Sequence, residues 1–100
     1  MGTLAHMDIT VEDRPTENRY VALDGDDVVG IAAYERRDDV VVLTHTVVQP
    51  EAEGRGVGSA LARTALDAAR AAGTRVVPQC EFMAAWIERH PDYADLVAAS

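Results

Sequence analysis

The sequence has one cysteine, nine basic residues against 17 acidic ones, and no apolar run approaching the length of a membrane-spanning helix. Each shortage excludes something. A lone Cys80 permits no intrachain disulfide, which argues against a secreted, disulfide-stapled mini-domain. The formal net charge is −8. An acidic chain is a poor partner for nucleic acid, whose binding runs on phosphate neutralisation, and for anionic membrane surfaces. Residues 1–7 lack the basic region and long apolar stretch of a signal peptide. They read as an expression scar or a disordered start, with the natural chain beginning near Met7 or Asp8. The expectation is a soluble, cytoplasmic protein with no nucleic-acid or membrane partner. At 100 residues and 48% hydrophobic, the chain has material for a single domain, over residues 8–100.

What is present falls into two halves. Ile9–Asp13 is a short extended candidate, stopped by Arg14-Pro15. Arg19–Leu23 alternates, with Tyr20 and Ala22 on one face and Val21 and Leu23 on the other. Asp24-Gly25-Asp26 is a turn. Val28–Tyr34 and Asp38–Val48 are further strands, joined by the polar Glu35–Asp38. Short connections between β-rich runs predict an antiparallel meander. Val40–Leu43 is apolar at every position, which predicts a central strand covered on both sides. The period then changes. Gly56–Ala72 places Leu61, Ala65, Ala68 and Ala72 three and four apart, the spacing of an amphipathic helix, and Gly73 ends it. Arg75–Val77 is a short strand ended by Pro78, returning parallel through a crossover. Glu81–Arg89 is a second helix with Phe82, Ala85 and Trp86 as its apolar stripe. Pro91 opens a third, short helix through Ala98. The fold class is α+β: a mixed, mostly antiparallel sheet with packed helices.

The strongest chemical signal is Glu53-Gly54-Arg55-Gly56-Val57-Gly58-Ser59, between a buried strand and an alanine-rich helix. Alternating glycines permit sharp turning and close approach of a ligand to the backbone. The helix start adds unpaired N–H donors and the positive end of the dipole. Together they suit a phosphate or pyrophosphate, so a chain at −8 can still bind an anion through a local field. Arg55 is placed to add a charge contact. The dinucleotide fingerprint fails because Ser59 stands at its last glycine, and the P-loop fails for want of Gly-Lys-Ser/Thr. A glycine-rich turn that merely packs the helix on the strand is the competing reading.

Gly54–Leu61 resembles the acyl-CoA pyrophosphate loop of the GNAT superfamily of N-acetyltransferases, with Gly56 and Gly58 matching its last two small positions. Glu53 departs from the commoner Gln or Arg, losing side-chain help but no backbone donor. His45–Val48, the glycine loop, Ala65–Asp67 with Ala69-Arg70, Val77–Cys80, and His90–Tyr93 with Leu96-Val97 resemble, in order, the small single-domain YjdJ-like branch. The likeness runs from Tyr20 to Val97. It implies a GNAT sheet with splayed central strands, truncated of the helices between its first two strands. It implies acetyl-CoA as cosubstrate, with its pantetheine arm entering between Leu43–Val48 and Arg75–Pro78. Thr46, Val47 and Val48, with Glu53 to Ser59, are then the expected cofactor-binding residues.

Four side chains are weighed as catalytic candidates. Cys80 follows a strand and precedes a helix, where a thiol pKa is lowered. Core packing is the alternative for a free cysteine. His45 lies on the face of its strand opposite Thr44 and Thr46, and is a candidate base acting through water. A hydrogen-bonded structural histidine is the other reading. Tyr93 is a weaker candidate for returning a proton to the CoA thiolate, and His90 is weighed beside it, with helix capping as its alternative. No metal-ligand spacing occurs, so no metal is expected.

The expected reaction is acetyl transfer from acetyl-CoA to a primary amine of unknown identity, by direct attack in a ternary complex. A backbone N–H from Thr46–Val48 would stabilise the oxyanion. Ping-pong transfer through acetyl-Cys80 is the alternative mechanism. A CoA-binding sensor or interaction module with little catalysis is the alternative function.

Overall fold

The computed structural model describes residues 9–98; the expected leader at residues 1–7 lies outside them. Five strands form one sheet in chain order: β1 (Ile9–Arg14), β2 (Arg19–Asp24), β3 (Asp27–Arg37), β4 (Val40–Val48) and β5 (Arg75–Pro78). The first four are antiparallel, and β5 is parallel to β4. Pro15–Asn18 alone joins β1 to β2, through a single 3-10 turn. The α+β class and the mostly antiparallel mixed sheet are as the sequence predicts.

Helix α1 (Val57–Ala72) crosses all five strands on one face. Its buried stripe is Val57, Leu61, Ala62, Ala65, Leu66 and Ala69. Ala68 and Ala72, expected in that stripe, are exposed: a period of 3.6 takes Leu61 to Ala65 to Ala69. Gly73 closes the helix with φ +74° and an N–H shared between the Ala69 and Arg70 carbonyls. Helix α2 (Glu81–Glu88) packs against α1, β4 and β5 on the same face. It buries Met83, Trp86 and Ile87, and leaves Phe82 exposed.

Two further expectations need correction. The β3–β4 turn is Asp38-Asp39, not Glu35–Asp38, because β3 continues to Arg37. Its polar end is held by Arg37 to Glu35 at 2.7 Å, with Asp38 taking the left-handed turn position at φ +55°. The third helix is a 3-10 segment, Pro91–Leu96. Val97 and Ala98 leave it to satisfy the open edge of β5, Val97 bridging Val76 and the Ala98 N–H reaching the Val76 carbonyl at 2.8 Å. Val40–Leu43 lies in an interior strand, with Val42 and Leu43 buried on opposite faces and Val40 and Val41 half-buried, while α1 and α2 share one face.

Two features of the sheet position the site. The β4–β5 pairing covers only Val40–Leu43 against Arg75–Pro78, so β4 beyond Leu43 has no strand on that side. In addition, Ala33 and Tyr34 on β3 face His45 and Leu43 on β4, which leaves Thr44 as an extra residue. This β-bulge shifts the side-chain alternation by one. Leu43 faces the helices before the bulge, and Thr46 and Val48 turn to that side after it. Simple alternation would have sent His45 and Val47 there instead.

Candidate active site

Between the free half of β4, the glycine loop and α2 lies an open groove of about 400 Å³. That volume is in the range of small-molecule sites. Strand β4 supplies Thr46 and Val48; the loop supplies Glu53, Gly54 and Gly56; α1 supplies Gly58 and Ser59; α2 supplies Phe82 and Trp86, followed by Arg89.

The loop is built by glycine. Gly54 and Gly56 sit at φ +81° and +83°, in the left-handed region that L side chains rarely enter. A Cβ at either would meet open space, so the backbone there is bare to a ligand. Gly56 is also the N-cap of α1, and no side chain caps that helix. The first-turn N–H groups, which have no intrahelical acceptor, therefore point to the groove end of the loop. Gly58 differs: a Cβ there would lie 2.7 Å from Cζ of Phe82, whose ring rests on it.

Against Thr46, and outside the groove's lining, stands Cys80, half-buried and the N-cap residue of α2. Its N–H donates to the Leu43 carbonyl at 2.9 Å, a link to β4 just past the end of β5. Its Sγ lies 3.4 Å from Thr46 Oγ1. Burial pushes the thiol pKa up. The Thr46 hydroxyl and the N–H groups of Met83, Phe82 and Thr46 outweigh it and hold the thiol below its ordinary value.

The expected site residues separate accordingly. Thr46, Val48, Glu53, Gly54, Gly56, Gly58 and Ser59 line the groove, and Cys80 touches Thr46. Val47 is 55% exposed and does not line it. Val57 is buried in the core beneath the loop, and Arg55 is exposed beside the groove rather than in its lining. His45 is exposed, on the side of β4 turned from Thr46. Tyr93 is buried, its hydroxyl donating to Asp67 Oδ1 at 2.7 Å. That bond, then burial, pushes the phenol pKa up. His90 stacks on Trp86 with ring centroids 3.7 Å apart, and its Nδ1 lies 2.7 Å from the Trp86 carbonyl oxygen. Arg89 is a groove residue that sequence reasoning missed. The one available signal was its recurrence, with Phe82 and Trp86, along one side of α2. Among the described residues no group of three or more His, Cys, Asp or Glu is arranged to hold a metal, and no helix is long and apolar enough to cross a membrane.

No curated protein sequence matches the chain. The fold resembles the NMR solution structure of a GCN5-like protein from Staphylococcus aureus, with a TM-score of 0.69 at 21% identity over 97% of this chain and 93% of that one. It also resembles an aminoglycoside acetyltransferase from an uncultured soil metagenomic sample, crystallised with trehalose. There the TM-score is 0.53 at 13% identity, over 93% of this chain and 72% of the other. The family model for GCN5-related N-acetyl-transferases matches residues 19–96, and with that span, the uncapped glycine loop and the unpaired half of β4 accounted for, the chain belongs to the GCN5-related N-acetyl-transferase family.

Proposed function

We propose that the chain, as a member of the small single-domain YjdJ-like branch, moves the acetyl group of acetyl-CoA to a primary amine, with Cys80 in contact with the acetyl group. The observation that carries this is the groove's two sides: bare glycine backbone and an uncapped helix start on the loop side, and on the β4 side Thr46, whose hydroxyl lies against Cys80.

The residues present fit the cosubstrate. Gly56, Val57, Gly58 and Ser59 would hold the pyrophosphate through backbone N–H groups. Val48 and Thr46 would take the pantetheine arm along the strand edge that β5 leaves open. Bound there, acetyl-CoA supplies an activated thioester carbonyl. Arg89 contributes a positive charge to a groove that also contains Glu53.

In either route the attacking amine must be neutral. His45, the sequence candidate for a base, is exposed on the other side of β4. The only carboxylate lining the groove among the described residues is Glu53, at the loop end. What favours a route through sulfur is the Thr46–Cys80 pair, whose thiol is held below its ordinary pKa. The Cys80 thiolate attacks the acetyl carbonyl carbon, the carbon–sulfur bond to CoA breaks, and CoA leaves as its thiolate. The Thr46 N–H, which faces the sulfur, is the donor available to the oxyanion. A neutral amine then attacks acetyl-Cys80, loses its proton to solvent and restores the thiolate.

Acetyl-CoA consumption against a panel of amines tests the proposal. Amine-dependent CoA release by wild type, with a large loss in Cys80→Ala, is expected. Unchanged turnover in Cys80→Ala selects direct attack, and binding without turnover by any amine selects a CoA-binding module.

A further inference from the structure

Ser59 is exposed at the third position of α1 and is linked across the groove to the chain's single tryptophan. The Trp86 indole Nε1–H donates to Ser59 Oγ at 2.9 Å. An indole nitrogen donates only, whereas a hydroxyl carries one hydrogen and two lone pairs. The bond from Trp86 therefore occupies a lone pair and forces the Ser59 hydrogen to point elsewhere. Among the described residues that hydrogen reaches no acceptor, and Ser59 lines the groove beside Gly56 and Gly58.

The indole is also fixed. Trp86 is 1% exposed. His90 stacks on it at 11° between the planes, and the Arg63 guanidinium lies 5.3 Å from its ring centroid. A serine in the first turn of a helix ordinarily has several rotamers and several acceptors for its hydrogen. Here one rotamer and one role are set before any ligand arrives, so less ordering remains to be done on binding. A hydroxyl whose oxygen already accepts a hydrogen bond is also a better donor, because bonds in a chain polarise one another.

We propose that Trp86 is a positioning residue that makes Ser59 a dedicated side-chain donor to a pyrophosphate oxygen of CoA. This rests on the acetyl-CoA reading of the groove. It also supplies a neutral side-chain contact where Glu53 offers only negative charge.

The test is CoA binding by calorimetry to wild type, Ser59→Ala, Ser59→Thr, Trp86→Phe and the Ser59→Ala/Trp86→Phe double variant. It is paired with the Trp86 indole signal in a proton–nitrogen NMR titration. Ser59→Ala should weaken CoA binding about tenfold, the size of one lost hydrogen bond to a charged group. Ser59→Thr should restore it. Trp86→Phe should weaken it several-fold, and the double variant should match Ser59→Ala alone. In wild type the indole proton should move downfield as CoA saturates, and this shift should be absent in Ser59→Ala. Losses that multiply in the double variant would show that Trp86 acts only through packing, and would overturn the inference. So would Ser59→Ala binding CoA within twofold of wild type. If Trp86→Phe does not fold, Ser59→Ala and the wild-type indole shift decide alone. Wild type failing to bind CoA removes the acetyl-CoA reading itself, an outcome distinct from wild type binding and the variants binding equally.

Discussion

Cys80 Sγ and Thr46 Oγ1 stand 3.4 Å apart across the opening between β4 and β5. They meet because the β-bulge at Thr44 turns Thr46 toward the helices, while the Cys80 N–H ties the start of α2 to Leu43. The hydroxyl can donate to the thiolate, and the Phe82 and Met83 N–H groups at the start of α2 face the same sulfur. The expected consequence is a thiol that ionises below its ordinary pKa of about 8.5. The rate of alkylation by iodoacetamide should therefore reach half its maximum below that pH in wild type. Thr46→Val removes a group that favours the charged form, so its midpoint should be higher. Equal midpoints would remove Thr46 from the account.

The same shift has a sign for stability. The folded-state thiol pKa is lowered, so its contribution is fully present above the unfolded-state pKa and is lost as pH falls through the folded-state value. Denaturation midpoints of wild type minus Cys80→Ser should therefore grow as pH rises across that window. A difference that shrinks would contradict the lowered pKa.

The glycines of the loop and the sheet should fail for different reasons. Gly56→Ala forces a Cβ into the left-handed region at φ +83° but meets open space. It should cost about 1–2 kcal/mol in urea denaturation and also weaken CoA binding, since the helix start would shift. At Gly30 a Cβ would lie 2.9 Å from Val57 Cγ1 and 3.1 Å from the Val47 carbonyl oxygen. Gly30→Ala should cost about 1–3 kcal/mol through overpacking beneath α1. A Gly56→Ala protein with unchanged stability and unchanged binding would show that the loop does not need that conformation.

Two residues that the sequence nominates for chemistry should prove dispensable for it. His45→Ala removes an exposed ring on the side of β4 away from Thr46, and turnover should stay within about twofold of wild type, as surface substitutions do. Tyr93→Phe removes the bond to Asp67 and should lower stability by about 1 kcal/mol, also without a loss of turnover. A tenfold loss of turnover in either folded variant would return that residue to the mechanism.

The contrast between these residues and the loop follows from the range of the signals. Gly54, Gly56 and the change from alternation to helical period are local features, so the glycine turn into α1 and the mixed sheet were legible. The bulge was not. One extra residue at Thr44 leaves no composition mark, yet it decides that Thr46 rather than His45 or Val47 faces the groove. The Ser59–Trp86 bond spans 27 residues and depends on α2 docking beside α1. Phe82 has the spacing of the apolar stripe of α2, but Met83 and Ile87 fill the buried face and Phe82 rests on Gly58. Val97 leaves the helix for a pairing with Val76, 21 residues back, that no local signal marks.

Intact-protein mass spectrometry after incubation with acetyl-CoA tests the central claim most directly. The chain has no lysine and one cysteine, so acetylation of lysine side chains cannot obscure the result. The account predicts one acetyl group on wild type, located at Cys80, removed by hydroxylamine or by an acceptor amine, and absent from Cys80→Ala. Amine acetylation proceeding with no acetyl on Cys80, or the same acetyl mass appearing on Cys80→Ala, would contradict it.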